Sequence, residues 1–411
     1  MAKRKFHYAW VILLACCMVQ GAVIGVIQNC KGIFYEPVCA SLGFNLGSFT
    51  LHQFFNGAGS VLMAPFVGRF YRRYPLRIVL TVALVFYVLS VVAMGASSAL
   101  WHWYVTGFVQ GMSGIFLMFT LQPYLLGNWF EKYRGTVLGI SAMASGLMGV
   151  IVNIVIADLI GRMGWRMGYF VLAGAAFLLA APATVFMIRS KPSDMGLLPY
   201  GVEDVSEIQV AEQQERGKIE RKDLSGLVYI ALLAAASSFL SGYSQHLANY
   251  ARTIGQGVMV GASMISASMV GNIGGKLLIG FLNDRFGVRV SSYSSFGLLT
   301  GSFVMFTFFP DSIVALFIGA ALSGVSMSIN SVQLPLMGAY VYDKAKYTAV
   351  LSYISIAITL GGAIGVPAIG GMYDRFGSYA PTFWMGLVVG VACVALLPVL
   401  YRRSVKRANK A

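Results

Sequence analysis

Apolar runs of about 20 residues, punctuated by short polar stretches, follow one another along almost the whole chain. About 20 apolar residues is what a helix needs to cross the hydrocarbon core of a bilayer. The pattern predicts spans at 8–34, 47–67, 78–96, 103–126, 136–160 and 167–188. A second set follows at 224–250, 258–281, 291–309, 313–340, 348–372 and 380–401. The expected class is an all-α integral membrane protein with twelve transmembrane helices. The only long polar stretch, 189–223, is rich in Glu, Gln, Lys and Arg and lacks a hydrophobic period. It separates an N-terminal six-helix bundle at 1–188 from a C-terminal six-helix bundle with a basic tail at 224–411.

The two halves echo each other. Gly68 with Arg73 and Arg77 recurs as Gly280 with Arg285 and Arg289, and Gln122-Pro-Tyr-Leu-Leu-Gly127 recurs as Gln333-Leu-Pro-Leu-Met-Gly338. Asp158, Gly164 and Phe170 answer Asp374, Gly377 and Phe383 at a similar shift. Two six-helix halves with matching motifs are the parallel repeat of a secondary transporter, in which substrate binds near the midplane.

Composition agrees: 57% of residues are hydrophobic, 11% are charged, and the mean hydropathy is +0.73. The net charge of +15 raises the possibility of nucleic acid, but the basic residues are not clustered on a soluble domain. With the N-terminus placed inside, all Lys and Arg fall in cytoplasmic segments except Lys31, Arg162, Arg166, Arg252, Lys276 and Arg375. That asymmetry is the positive-inside rule. It argues against nucleic acid and predicts a multi-pass protein of the inner, or plasma, membrane with both termini cytoplasmic. The start Met-Ala-Lys-Arg-Lys resembles the beginning of a signal peptide. The long apolar run after it and the lack of a clear cleavage site make it a retained first helix. Cys16, Cys17, Cys30, Cys39 and Cys393 show no metal spacing and read as small packing residues.

Polar groups inside the spans are the candidate chemistry. Lys276 lies in a run that is otherwise a membrane span. An ammonium near mid-membrane is costly, so it faces a protein interior or a watery cavity. Lys31 comes late in the first span, close enough to Glu36 that a salt bridge is the alternative to a substrate contact. Tyr243, His246 and Tyr250 share one face at helical spacing, and a histidine can shuttle protons near neutral pH. Gln20, Gln28 and Lys31 lie along one stripe of the first span. His52, Gln53 and Asn56 cluster in the second, and Ser326, Asn330 and Gln333 in the tenth. Such residues either line a cavity or hold helices together. A phosphate loop ending at Lys276 would need glycine at Val270 and Ser or Thr at Leu277. With no nucleotide site, energy must come from gradients. Paired carboxylates, a metal-ligand cluster and a nucleophile motif are absent, so no enzyme, cofactor or metal is expected.

Gly280-Phe-Leu-Asn-Asp284-Arg285-Phe-Gly287-Val-Arg289 matches the loop signature of the major facilitator superfamily at every key position. The N-half copy departs from it: Arg72 replaces the acid and Pro75 the second glycine. Asn128-Trp-Phe-Glu-Lys-Tyr-Arg134-Gly135, Gly164-Trp165-Arg166 and Lys191-Pro-Ser-Asp-Met-Gly-Leu-Leu-Pro-Tyr-Gly201 resemble loops of the oxalate/formate antiporter and monocarboxylate transporter branch. That resemblance covers essentially the whole chain. It implies that Lys276, four places before the loop glycine, binds a substrate carboxylate where relatives usually carry arginine. It implies a similar part for Lys31. Relatives coupled to protons carry an aspartate where this chain has Asn272, and oxalate carriers a second cation where it has Ile354. One deep cation and one peripheral cation suit a monoanion better than a dianion.

The expectation is therefore a monomeric, lipid-embedded carrier of a small organic anion, a monocarboxylate first. It would work by alternating access with proton symport or anion exchange. A carrier of a neutral or lipophilic molecule and a sensor that binds without transporting are the alternatives. The expected substrate-contacting residues are Lys276, Lys31, His246, Asn272, Tyr243, Gln28, Asn56 and Asn330. The expected conformational-switch loop is Gly280, Asp284, Arg285, Gly287 and Arg289.

Overall fold

The computed structural model describes residues 7–118, 120–201, 224–342 and 344–408. The basic residues Lys3, Arg4 and Lys5, most of the 189–223 loop, and the side chains of the basic tail lie outside what is described. The helices, in chain order, begin with α1 (Ala9–Leu42), α2 (His52–Arg73, led in by a helical turn at Leu46–Thr50) and α3 (Leu76–Ala96). Then come α4 (Leu100–Trp129), α5 (Arg134–Met163), α6 (Trp165–Met187) and α7 (Leu224–Thr253). The run Val258–Phe308 holds α8 and α9, before and after Gly287. It is followed by α10 (Ile313–Val341), α11 (Lys344–Phe376) and α12 (Ala380–Ala408).

Among the described residues, 10 helices are long and apolar enough to cross a membrane. One of these is the run that holds both α8 and α9. The remaining helix, α2, escapes the hydropathy test because His52, Gln53, Asn56 and three arginines dilute it. The chain is a multi-pass membrane protein, and the described residues hold the twelve long helices of that fold. Helices suit this setting because each satisfies its own backbone hydrogen bonds where no water is available. Large apolar side chains such as Leu178, Phe186 and Val388 stand exposed on the helices, as contact with lipid tails requires.

Four helices lose α geometry near their middles, and they are the first and fourth of each half. α1 carries a π segment at Gly21–Ile27 and a 3-10 turn at Gln28–Cys30. α7 carries a 3-10 turn at Gly242–His246, and α10 a π segment at Ile329–Gln333. α4 breaks between Leu117 and Leu121. In α4 and α10 the cause is visible in the sequence. Pro123 and Pro335 follow the breaks, and proline has no N–H for the carbonyl four residues back. Side chains take up the freed carbonyls of α4. The Tyr71 hydroxyl donates to the Phe116 carbonyl at 2.5 Å, Gln20 to that of Met118 at 3.1 Å, and Thr120 to that of Ile115 at 2.7 Å.

The chain packs as two compact units, one of Met1–Lys31 with Ala58–Gln214 and one of Gly32–Gly57 with Glu215–Ala411. In the first, Arg166 donates to the Gly95 and Ser97 carbonyls at the end of α3 and stacks 4.3 Å over Trp165. This explains the Gly164-Trp165-Arg166 motif as a cap on a neighbouring helix end. In the second, α8 and α10 cross on small residues. A Cβ on Gly271 would fall 1.7 Å from the Ala321 carbonyl oxygen, and one on Gly324 1.8 Å from that of Ser268. Residues 32–57 pack on α7 and α11 in the same way, with Gly32 against the Gln245 backbone and Gly57 against Ala363.

Candidate functional site

In the first unit, the Lys31 ammonium is withdrawn from the surface, with the side chain only 4% exposed, and donates to Gln110 Oε1 on α4 at 2.7 Å. Gln110 is fully buried. The predicted stripe of Gln20, Gln28 and Lys31 is real, and all three reach α4. Gln20 donates to the Met118 carbonyl and Gln28 to Met118 Sδ at 3.8 Å. The π and 3-10 segments of α1 set this register. Glu36, the alternative partner weighed for Lys31, pairs with Arg252 on α7. The sequence reading missed Gln110. Its signal was a polar residue in a span, one helical turn from Thr106 and Ser113.

In the second unit, Asn272 and Lys276 occupy successive turns of α8. Asn272 is buried: the Ser328 hydroxyl reaches its carbonyl oxygen at 2.7 Å and its Oδ1 at 3.1 Å. Gly275 abuts Ser328, so the turn carrying Lys276 is fixed against α10. Lys276 itself is half-buried. Asn330, in the π segment of α10, accepts from Ser237 of α7 at 2.8 Å. Its neighbour Gln333 donates to Ser292 at 2.7 Å, and Ser292 meets the Tyr401 hydroxyl at 2.6 Å. That network joins α10 to α9 and α12.

His246 is fully buried, and both ring nitrogens are engaged. Nε2 faces the Val366 carbonyl at 2.9 Å and Nδ1 the Tyr379 hydroxyl at 3.3 Å. A carbonyl only accepts, so Nε2 carries the proton. Asn249 donates to the Tyr379 oxygen at 2.7 Å, which leaves the tyrosine hydrogen for Nδ1. The chain Asn249, Tyr379, His246, Val366 is closed around a neutral imidazole. Tyr243 is buried among Phe303, Phe306 and Phe383 at ring distances of 5.0–5.6 Å. Tyr250 joins Phe306 and Phe383 from one side and Tyr379 from the other. The predicted face of α7 is thus brought together as an aromatic cluster. Asn56 is half-buried on α2, and Gln53 reaches the Tyr35 hydroxyl at 3.2 Å. Tyr35 also bonds Gln245; neither of these last two was singled out from sequence.

The loop signature turns on one residue. Gly287 has φ 80° and ψ 169°, a region closed to side chains. Its N-half counterpart Pro75 leaves the helix at φ −56° and ψ 121°. The paired arginines act on equivalent helices by different means. Arg289 stacks over Tyr340 and Tyr401, the latter on α12, while Arg77 donates to the Phe186 and Ile188 carbonyls at the end of α6. Arg285 lies over Phe281 and Phe286, and Asp284 sits beside Asn283 at 3.4 Å. Nothing lies within 4 Å of a Cβ placed on Gly280. Two other resembling loops meet. The Tyr200 amide donates to the Trp129 carbonyl at 2.8 Å, and the Trp129 indole to that of Arg189 at 2.9 Å. Gly201, at φ 96°, leaves no room for a Cβ beside Lys132.

Residues 17–268 and 227–411 match the family model described as Major Facilitator Superfamily. The chain is 23% identical over 415 residues to monocarboxylate transporter 13 of Bos taurus, covering 95% of this chain and 89% of that one. It is 23% identical over 212 residues to the membrane sensor protein UhpC of Salmonella typhimurium, 47% of this chain and 46% of the other. A mutant form of the nucleoside transporter NupG matches the structure with a TM-score of 0.71 at 12% identity, over 96% of this chain and 100% of that chain. At that identity the likeness is one of fold.

Proposed function

Because the chain belongs to the major facilitator superfamily, a family of transporters, we propose that it is a secondary carrier of a small monocarboxylate. It works by alternating access, with energy from proton symport or anion exchange. One observation carries this reading: the two lysines inside the spans are each set in a polar, tightly packed frame. Lys31 rests on Gln110, and Lys276 sits one turn beyond the Asn272–Ser328 pair. A cation kept in a span at such cost is a functional group by default. Similarity to a monocarboxylate transporter over 95% of the chain supports the substrate class.

In this reading Lys276 neutralises the substrate carboxylate as a point charge, without the two-pronged grip an arginine would give. Lys31 contributes a second contact, and Gln28, Asn56, Asn272 and Asn330 supply polar lining. Tyr243 belongs to the aromatic frame behind α7. The signature loop Gly280–Arg289 works as the switch between conformations. Asn272 stands where a proton-carrying aspartate would, so coupling runs through His246 or Glu36, or exchange replaces it. The protein acts as a monomer in the inner or plasma membrane, with both termini in the cytoplasm. Partial similarity to a membrane sensor favours one second reading, a receptor that binds the anion and does not move it.

The test is counterflow of radiolabelled lactate, pyruvate and formate in liposomes holding the purified protein. Uptake against a preloaded unlabelled anion is expected. Binding of an anion without counterflow would support the sensor. Neither binding nor counterflow with any monocarboxylate would sink the substrate class.

A further inference from the structure

The loop between α2 and α3 in the first unit is basic without relief. Arg69, Arg72, Arg73 and Arg77 follow one another closely, and the sequence holds no Asp or Glu between Glu36 and Glu131. The second-half copy of this loop keeps two arginines beside Asp284. Arg69, Arg72 and Arg73 are exposed, whereas Arg77 is half-buried. Its Nε donates to the Ile188 carbonyl at 2.7 Å and its Nη2 to that of Phe186 at 2.9 Å. Arg189 Nη1 reaches the same two oxygens, Phe186 at 3.2 Å and Ile188 at 3.3 Å. Two full positive charges therefore share two neutral acceptors. Carbonyls at a helix C-terminus offer only partial negative charge. Among the described residues, neither arginine pairs with a carboxylate. Asp194, the first acid after Arg189, accepts from the Lys191 amide at 3.1 Å.

We propose that this corner binds the phosphate of an anionic lipid headgroup. Arg77 and Arg189 hold the phosphodiester, and the exposed Arg73 adds attraction. Three observations carry the assignment. First, the shared carbonyls keep the two guanidinium groups side by side and lack the charge to neutralise them. Each guanidinium has five N–H donors, so Arg77 Nη1 and Arg189 Nε and Nη2 remain for an outside acceptor, and the planar fork suits phosphate oxygens. Second, the pair stands at the membrane boundary. Arg77 is the second residue of α3, and Arg189 lies just past the end of α6, both helices being spans. Basic clusters directly beside spans attract anionic headgroups. Third, apolar surface for an acyl chain adjoins the charge. Phe186 is 71% exposed, and the exposed Tyr74 lies under Arg73, whose Cζ is 5.9 Å from the ring centre. Tyrosine is favoured at headgroup level. A soluble phosphate would meet the same two forks, but it has no use for Phe186 or Tyr74. The site requires only that the chain span a membrane and is independent of the substrate class.

The full-length purified protein in detergent is titrated with dioctanoyl phosphatidylglycerol, and in parallel with dioctanoyl phosphatidylcholine and with inorganic phosphate, while its Tm is read. A ligand that binds the folded state raises the Tm by mass action. The anionic lipid should do so saturably and the zwitterionic one should not. The apparent Kd for phosphatidylglycerol should rise about fivefold in Arg189→Gln and in Arg77→Gln, as loss of one basic group beside a headgroup implies. The Arg189 side chain bonds only to carbonyls within three residues of itself, so that variant keeps the fold even where Arg77→Gln weakens it. Arg285→Gln removes the same charge from the second-half copy and should leave the Kd unchanged. A Kd indifferent to both Arg77→Gln and Arg189→Gln makes the pair a helix cap and overturns the site. An equal rise in Arg285→Gln also overturns it, since that reports attraction to basic residues at large. Stabilisation by inorganic phosphate, with phosphatidylglycerol adding nothing, overturns the lipid as the source of the phosphate.

Discussion

Lys31 on α1 and Gln110 on α4 form a buried hydrogen bond of 2.7 Å, a charged donor on a neutral acceptor. Gln110 fixes the ammonium without itself supplying a counter-charge. Gln110→Glu should add one. A glutamate there would pair with Lys31 and raise the KM for a carboxylate about tenfold or more, with little loss of thermal stability. Gln110→Leu should instead lower the Tm, because a hydrogen bond to a charged group is worth about 1.5–3 kcal/mol. Kinetics and melting of both variants check this; equal KM values for Gln110→Glu and the parent would show that Lys31 does not meet substrate.

Lys276 should be indispensable as a charge. Loss of one member of a buried charge pair typically costs about 3–5 kcal/mol, enough to weaken anion binding more than a hundredfold in Lys276→Gln. Lys276→Arg should keep part of the activity, since charge survives while hydrogen-bond geometry changes. Binding of the anion to all three purified forms, read beside their melting curves, decides it. Unchanged affinity in a folded Lys276→Gln protein would make the charge structural.

Coupling turns on Asn272. The Ser328 hydroxyl that donates to its Oδ1 can donate equally to a carboxylate, so Asn272→Asp fits the site. That variant should make uptake steeply dependent on an imposed pH gradient. In the parent, His246→Gln and Glu36→Gln test the remaining proton carriers. Robust gradient-driven uptake whose pH dependence neither substitution alters would eliminate both.

Helix packing makes a contrast that melting can read. Gly271→Ala would drive a methyl into the Ala321 carbonyl 1.7 Å away, and overpacking of that kind costs about 1–3 kcal/mol. Gly280→Ala meets nothing within 4 Å and should leave the Tm of this conformation unchanged. Similar melting of the two variants would contradict the close α8–α10 crossing.

Orientation follows from charge. A single cysteine at Ser193, in a background free of native cysteines, should resist an impermeant thiol reagent in intact cells and react after permeabilisation. Labelling without permeabilisation would invert the topology.

Apart from α2, the spans were legible because length and apolarity suffice to define them. Their ends were less so. Hydropathy predicts a gap between 281 and 291, yet the helix leaves α geometry only at Gly287. Asp284, Arg285 and Arg289 read as loop by charge, but long charged side chains reach water from a helix end. The mid-span breaks were half legible. Pro123 and Pro335 announce those in α4 and α10, whereas the π segment of α1, where Gly25 packs on Met148 and Ser145, has no proline to announce it. Candidate site residues stand out where a charge or amide interrupts an apolar run. Their partners were not, because the pairing of Lys31 with Gln110 and of Glu36 with Arg252 depends on which helices lie side by side.

The dilute apolarity of α2 has a consequence for biogenesis. A segment whose two ends carry His52, Gln53, Asn56, Arg69, Arg72 and Arg73 keeps only a short apolar stretch between them, less than a span's usual length, and gains little by partitioning into lipid alone. Only Tyr74 and Pro75 separate it from the strongly apolar α3. The translocon should therefore admit α2 and α3 together, as a helical hairpin. Nascent chains that end after α2 should leave it outside the bilayer, and chains that extend through Ala96 should bring it in; glycosylation-site mapping of the two lengths distinguishes them.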